Sequence, residues 1–240
     1  MSYSTESPQG AAEIRKLRDA VLVAALPHVP FDGWTEATLA RGAADAGLAP
    51  EEASRAFPGG AIDAIAHHSR RADARMLAAL EAETGEGQEP TGQKSRGMTA
   101  TVRRAIQLRL EASMGEREAI RRALAILGRP QHAPLAARLL YRTVDAIWYV
   151  AGDNATDFNF YTKRGLLAAV YSATVLYWLD DRSEGCAETW AFLDRRLADV
   201  LRVPKAMARA ERLIGGLPSP FRVLRMARNR ATAGFRPPGR

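Results

Sequence analysis

The chain has 240 residues, of which 47% are hydrophobic and 7% aromatic. This composition is typical of a globular protein that buries a core in one domain or two small ones, and it excludes a disordered or collagen-like chain. The single cysteine, Cys186, excludes a framework of internal disulfides and favours a reducing, cytoplasmic setting.

The formal net charge of +7 comes from 34 basic and 27 acidic residues. From Arg212 onward the chain carries seven arginines and no Asp, Glu or Lys. Subtracting these seven from the 34 leaves 27 basic and 27 acidic residues over positions 1–211, so the whole excess belongs to the C-terminal segment. Because positions 1–211 carry no net charge, they do not indicate nucleic-acid binding through general basicity.

Apolar residues recur at spacings of three and four along almost the whole chain, and this pattern predicts an all-α fold. The N-terminal part is predicted to hold four helices, over residues 11–27, 35–46, 50–57 and 61–83. Thr35 is expected to cap the second helix and Gly47 to end it. After a Gly- and Pro-containing loop at 85–97, helices are predicted over residues 98–113, 117–127, 134–151, 156–181, 186–202, 205–214 and 219–233.

The residue groupings that usually indicate catalysis are missing from the sequence. None of the four histidines has a Glu three positions earlier, as helical di-iron sites require. His67 and His68 point about 100° apart on a helix, so they are expected to be surface or capping residues rather than ligands of one metal. There is also no Gly-x-Ser-x-Gly motif, phosphate loop or second cysteine. The sequence therefore predicts a protein that is not an enzyme and holds no cofactor or metal.

Residues 21–62 resemble the N-terminal DNA-binding domain of TetR-type repressors. Ala43-x-x-Ala46-Gly47-Leu48 matches the turn of a helix-turn-helix, and Phe57 closes the recognition helix. The first turn of that helix carries Glu51 and Glu52, which a phosphate backbone would repel, although the same carboxylates would stabilise the helix N-terminus. The resemblance predicts a TetR-like fold without nucleic-acid binding. A ligand-responsive TetR-class repressor is the alternative function.

The central part of the chain carries longer motifs. They are VDAIWYVAGD at residues 144–153, TDFNFYTKR at 156–164, LAAVY at 167–171 and TWAFL at 189–193. Together with His28-Val29-Pro30 and Gly33-Trp34, they resemble the Coq-nine family of ubiquinone biosynthesis proteins. The resemblance implies a TetR-like homodimer that does not bind DNA, binds an isoprenoid quinone or other lipid, and assists the di-iron demethoxyubiquinone hydroxylase.

The resemblance also implies a docking patch for that hydroxylase, formed by Asp145, Phe160, Tyr161 and Arg164. Aromatic and arginine side chains of this kind are typical of interaction hot spots. The residues alone leave another interpretation open, in which Trp148 and Tyr161 belong to the core and Arg164 is a solvated charge.

Residues 165–179, within the helix predicted over 156–181, are apolar on nearly every side, so both faces of this helix must be buried against other groups. One face is expected to line a lipid cavity and the other to pack on a second copy of the chain; an ordinary buried helix is the alternative. The predicted lipid-binding residues are Leu140, Val144, Trp148, Leu167, Tyr171 and Trp178.

The C-terminal segment combines apolar residues at helical spacing with interleaved arginines. The predicted membrane-binding residues are Phe221, Arg222, Leu224, Arg225 and Arg228. A basic amphipathic helix of this kind lies on an anionic membrane surface; a solubilising tail and a nucleic-acid arm are the alternatives. Because residues 1–10 contain no targeting signal, the expectation is a bacterial-type protein, peripheral on the cytoplasmic face of the inner membrane.

These patterns predict four regions along the chain. They are a flexible N-terminus at 1–10, a helix-turn-helix-like unit at 11–60, a helical lipid-binding and dimerisation domain at 61–215, and a membrane-binding tail at 216–240.

Deletion of residues 216–240 is expected to abolish flotation with anionic vesicles. The four arginines at 222, 225, 228 and 230 contribute about 1 kcal/mol each near such a surface, which is a factor of about 10³ in affinity. Co-flotation of the full and the truncated chain with phosphatidylglycerol vesicles, at low and high salt, measures this effect. A truncated chain that still floats would contradict the membrane role of the tail.

Overall fold

The structure is a computed structural model that describes residues 8–85, 97–152 and 158–200, with the backbone alone at 8, 84, 85 and 158–161. Its α-helices in these ranges are α1 (Pro8–Ala25), α2 (Val29–Asp32), α3 (Glu36–Asp45), α4 (Glu52–Ala56), α5 (Gly60–Gly85), α6 (Met98–Glu111), α7 (Arg117–Leu127), α8 (Ala133–Val150), α9 (Phe158–Asp180) and α10 (187–200). Short 3₁₀ turns precede α7, α8 and α10. Since these ranges contain no strand, the predicted all-α class is confirmed.

The first four helices form a small unit around α3. Helix α1 packs closely against α3. This close approach requires glycine at position 42, because a Cβ atom on Gly42 would lie only 2.6 Å from Cβ of Ala25. Thr35 caps α3 as predicted, and its hydroxyl accepts a hydrogen bond from the backbone N–H of Thr38 at 3.1 Å. Gly47 ends the following turn with φ of +72°, a conformation that favours glycine. Helix α3, this turn and α4 make the helix-turn-helix arrangement.

Two predicted boundaries in this unit are wrong. Pro30 does not simply end the first helix; it lies in the first turn of the separate helix α2, where its missing N–H costs no hydrogen bond. Helix α4 begins at Glu52, so Pro50 belongs to the preceding turn. The predicted helices at 205–214 and 219–233, and most of the loop at 85–97, lie outside the described residues.

The N-terminal unit shares its core with the helices that follow. Buried residues of α1, α3 and α4 cluster with Ala64 and Ile65 of α5 and with Ala123 of α7. Trp34, at the start of α3, donates a hydrogen bond from Nε1 to the carbonyl of Ala119 at 2.9 Å. Helices α5 and α7 therefore bridge the N-terminal unit and the rest of the body.

The chain divides into two compact units, Met1–Asp194 and Arg195–Arg240. Within the first unit, α5 packs against α6 and α8, while α9 packs against α6, α7 and α8. These five helices surround the cavity described below. The four regions predicted from the sequence stay a prediction. Among the described residues, no helix is both long enough and apolar enough to cross a membrane.

Candidate functional site

A cavity of about 440 Å³ lies between α5, α6, α7, α8 and α9. Its wall is mostly apolar, with Ile65, Leu110, Val175 and Trp178 among the buried members. Cavities of about 300–1,000 Å³ with mostly apolar walls and a few polar groups are typical of small-molecule sites. The dimensions and lining thus fit a ligand that is largely hydrocarbon.

The cavity reaches the surface where α7, α8 and α9 come together. Gly128, Ala137 and Leu176 line it and are nevertheless exposed. Leu176 is 61% exposed, which is unusual for a large aliphatic side chain beside a deep apolar space. We take these residues as the mouth of the cavity.

Three of the six side chains predicted to bind lipid line the cavity: Leu140, Tyr171 and Trp178. Val144 and Leu167 are buried without forming part of its wall. Trp148 also lies away from the wall, and the ammonium group of Lys163 is 5.9 Å from the centre of its ring. Helical spacing identifies apolar faces, but it does not tell which apolar residues contact a neighbouring helix and which contact a cavity.

A buried ion pair contributes to the polar part of the cavity wall. Arg109 of α6 donates from Nε to Oδ1 of Asp73 of α5 at 2.8 Å, and both side chains are buried. Arg109 also donates from Nη1 to the hydroxyl of Tyr171 of α9. Thr143 of α8 donates its hydroxyl to the same Asp73 oxygen at 2.9 Å. The ion pair and its two hydrogen-bond partners thus connect four helices, and three of these four side chains, Arg109, Thr143 and Tyr171, line the cavity.

A second charged cluster lies beside the cavity. Nε2 of His68, a lining residue, donates to Oε2 of Glu116 at 2.7 Å, and Arg75 donates to both oxygens of that carboxylate at 2.9 Å. Burial disfavours the charged form of Glu116, but the hydrogen bonds from His68 and Arg75 outweigh it and lower its pKa from 4.5 to about 2. The cluster holds α5 to the corner between α6 and α7.

His67 and His68 are both buried, which corrects the expectation of surface or capping residues. Helix α5 lies between the N-terminal unit and the cavity, so each ring meets a carboxylate from a different element. Burial lowers the pKa of His67, and the hydrogen bond of 2.8 Å to Asp19 partly offsets this. The described part of the chain holds no group of three or more His, Cys, Asp or Glu side chains arranged to bind a metal.

Two residues of the predicted docking patch form an ion pair between α8 and α9. Arg164 donates from Nε and Nη2 to Oδ1 of Asp145, at 2.9 and 2.8 Å. The Asp145 side chain is 48% exposed and that of Arg164 only 8%, so the interpretation of Arg164 as a solvated charge is wrong. Phe160 and Tyr161 lie near the start of α9, and their side chains are outside the described residues.

Residues 221–228, which include every predicted membrane-binding side chain, lie outside the described part of the chain as well. The exposed aromatic residues of α8, in contrast, are described. Tyr149 is 81% exposed and Tyr141 is also exposed. With Asp145 between them at intervals of four residues, they share one side of the helix. We call Tyr141, Asp145 and Tyr149 the α8 face.

Comparison with known proteins identifies the family. The COQ9 family model matches residues 133–204, a range that contains α8 and α9. The mitochondrial ubiquinone biosynthesis protein COQ9 of Rattus norvegicus is 34% identical over 218 residues, which are 89% of this chain and 69% of the rat protein. The chain belongs to the COQ9 family.

Two further COQ9 proteins give similar values. The human protein is 35% identical over 206 residues, which are 84% of this chain and 64% of the human protein. The Drosophila melanogaster protein is 32% identical over 210 residues, which are 88% of this chain and 63% of the fly protein. The chain therefore spans just under two thirds of the length of these two COQ9 proteins.

A TetR transcriptional regulator from Nitrosomonas europaea has a similar structure. The TM-score is 0.61, and the match covers 78% of this chain and 98% of the regulator. At 22% sequence identity this likeness concerns the fold alone. It confirms the predicted TetR-like fold for this COQ9 chain.

The stabilisation that the Glu116 carboxylate provides is expected to depend on pH. Because its pKa is lower in the folded chain, its contribution is full above pH 4.5 and is lost as the pH falls towards 2. The Glu116→Gln variant should therefore have a lower free energy of unfolding than the wild type at neutral pH, and the difference should shrink below pH 4.5. Urea unfolding over this pH range measures it.

Glu118→Gln is the matched control, because Glu118 is 46% exposed and pairs with Arg121 and Arg122 at the surface. Its effect should be small at every pH. A loss in Glu116→Gln that is as large in acid as at neutral pH would contradict the low pKa of Glu116.

Proposed function

We propose that this COQ9-family protein acts in ubiquinone biosynthesis as a carrier, which binds an isoprenoid ubiquinone precursor and presents it without catalysing a reaction itself. The cavity of about 440 Å³ is the observation that carries the proposal. A polyprenyl chain gains about 0.8 kcal/mol for each CH₂ group that it buries, and it needs no polar partner. The names of the relatives, as ubiquinone biosynthesis proteins, support this choice of lipid.

The protein partner in this proposal is the di-iron demethoxyubiquinone hydroxylase, and the α8 face is its docking surface. Tyrosine and arginine are enriched at interaction hot spots. Tyr149 offers an aromatic side chain that is 81% exposed. Since Arg164 is buried, its part is to hold the Asp145 carboxylate in a fixed position at the surface.

Two further parts of the proposal concern assembly and location. TetR-like folds dimerise through their last helices, and we extend this homodimeric arrangement to the present chain. The basic segment at 216–240 supports a peripheral association with an anionic membrane. From such a surface the carrier would take up its lipid.

The alternative of a TetR-class repressor has little support from α4. Arg55, the basic residue of this helix, pairs with Glu52 at 3.2 Å. With Glu51 just before the helix, this surface has no net positive charge to offer a phosphate backbone.

Filling the cavity is expected to abolish lipid binding. Leu124 of α7 and Val175 of α9 line the cavity, so a chain with both Leu124→Trp and Val175→Trp loses space that the ligand needs. Titration with a benzoquinone that carries a two-isoprene tail, followed by calorimetry, should show at least a tenfold weaker affinity, about 1.4 kcal/mol.

The control carries Ala125→Trp and Ala169→Trp, which add the same side chains at exposed positions of α7 and α9 outside the cavity wall. It should bind the quinone like the wild type. Equal binding by the filled chain, the control and the wild type would show that this cavity is not the lipid site.

Removal of the Tyr149 side chain is expected to weaken hydroxylase binding. The Tyr149→Ala variant should raise the dissociation constant for the purified hydroxylase by about tenfold or more, as for a hot-spot tyrosine. Its thermal stability should be unchanged, because the Tyr149 side chain is exposed at the surface of α8.

Phe31→Ala is the control for this measurement, since Phe31 is 82% exposed but belongs to α2 in the N-terminal unit. It should leave the dissociation constant unchanged. The docking assignment fails if Tyr149→Ala binds the hydroxylase as tightly as Phe31→Ala does.

A further inference from the structure

We propose that the Arg109–Asp73 pair and Tyr171 determine which head group the cavity accepts, favouring a neutral ring that carries oxygen acceptors, such as a quinone, over an anionic phosphate head. This inference rests on the proposed carrier function, because it assumes that the cavity holds a lipid. It names the residues that would distinguish lipids with the same tail but different head groups.

The position of the polar groups is the first argument. Arg109, Thr143 and Tyr171 are buried members of the cavity wall, whereas the exposed members, such as Leu176, mark its mouth. Most of the remaining wall is apolar. The other polar members are His68, which is hydrogen-bonded to Glu116, and the half-buried Ser69 and Ser172. An amphipathic ligand therefore finds most of its polar partners at the buried side of the cavity, and a small oxygen-bearing ring with a hydrocarbon tail has this distribution.

Hydrogen-bonding capacity is the second argument. The Tyr171 hydroxyl accepts a hydrogen bond from Arg109, and within the described part of the chain it donates to no acceptor. Burial raises the pKa of the Tyr171 hydroxyl, which favours its protonated form. A protonated hydroxyl in the wall of an apolar cavity is a donor for a ligand oxygen, and a quinone carbonyl is an acceptor of this kind.

Charge is the third argument. Asp73 neutralises Arg109 through the bond of 2.8 Å. Its second carboxylate oxygen, Oδ2, is buried and accepts no hydrogen bond from the described residues, so part of the negative charge has no donor beside it. Asp73 is not itself part of the wall, but it cancels the charge of Arg109, so a phosphate that enters the cavity would lose its hydration without gaining a net positive partner. A neutral head avoids that cost.

The same network also ties α5, α6, α8 and α9 together, so loss of stability in a variant does not distinguish head recognition from a structural role. The distinguishing observation is a change in affinity that depends on the head of the ligand. Three probes with one farnesyl tail provide it: a farnesylated benzoquinone, the corresponding farnesene hydrocarbon and farnesyl phosphate.

In the wild type, the quinone probe should bind most tightly and the phosphate probe most weakly. The Tyr171→Phe variant removes one donor and keeps the ring, so its affinity for the quinone should fall about three- to tenfold while its affinity for farnesene stays the same. Tyr177→Phe is the control, because Tyr177 lies on the same helix, outside the cavity wall, with its hydroxyl 3.3 Å from Glu188.

The Asp73→Asn variant tests the charge argument by a gain of binding. It leaves the Arg109 charge without its counter-charge, so the affinity for farnesyl phosphate should rise at least tenfold relative to that for the quinone. A misfolded chain cannot produce this gain.

Three results would overturn the inference. The first is equal affinity of the wild type for all three probes, and the second is an equal loss of affinity for all three in Tyr171→Phe. The third is an Asp73→Asn variant whose affinity for farnesyl phosphate, relative to that for the quinone, is the same as in the wild type. If none of the probes binds the wild type, the proposed carrier function itself fails.

Discussion

The buried ion pair between Arg109 and Asp73 is the interaction on which the rest of the body depends. It lies where α5, α6, α8 and α9 meet, and Thr143 and Tyr171 bring the last two helices to it. A buried pair of this kind is costly to break, because removal of one partner leaves the other charge uncompensated, at about 3–5 kcal/mol. The four helices are thereby held around a space that their side chains do not fill, with polar groups at its buried side.

Charge is placed differently in the three parts of this molecule. In the helical body, buried arginines are paired with carboxylates, as Arg109 is with Asp73 and Arg164 with Asp145. In the helix-turn-helix arrangement, Arg55 is paired with Glu52 at the surface. The excess of arginine over acidic residues lies in the C-terminal sequence, where we propose a contact with an anionic membrane.

Much of the fold could be predicted from the sequence because its determinants are local. The helix over 117–127, the cap at Thr35 and the turn at Gly47 each depend on a few neighbouring residues. The polar wall could not be predicted, because Arg109 and Asp73 are 36 positions apart and each resembles an ordinary helix charge. The available signal was that Arg109 stands between Leu108 and Leu110 in an apolar stretch of α6. The burial of Arg164 was missed for the same reason, since its partner is on another helix.

The cavity is proposed to carry a neutral isoprenoid lipid. Native mass spectrometry of the full chain purified from cells, followed by release and identification of the bound molecule, tests it most directly. Each occupied chain should hold one prenylated quinone or quinone precursor. A chain that holds no lipid, or only phospholipid, would contradict it.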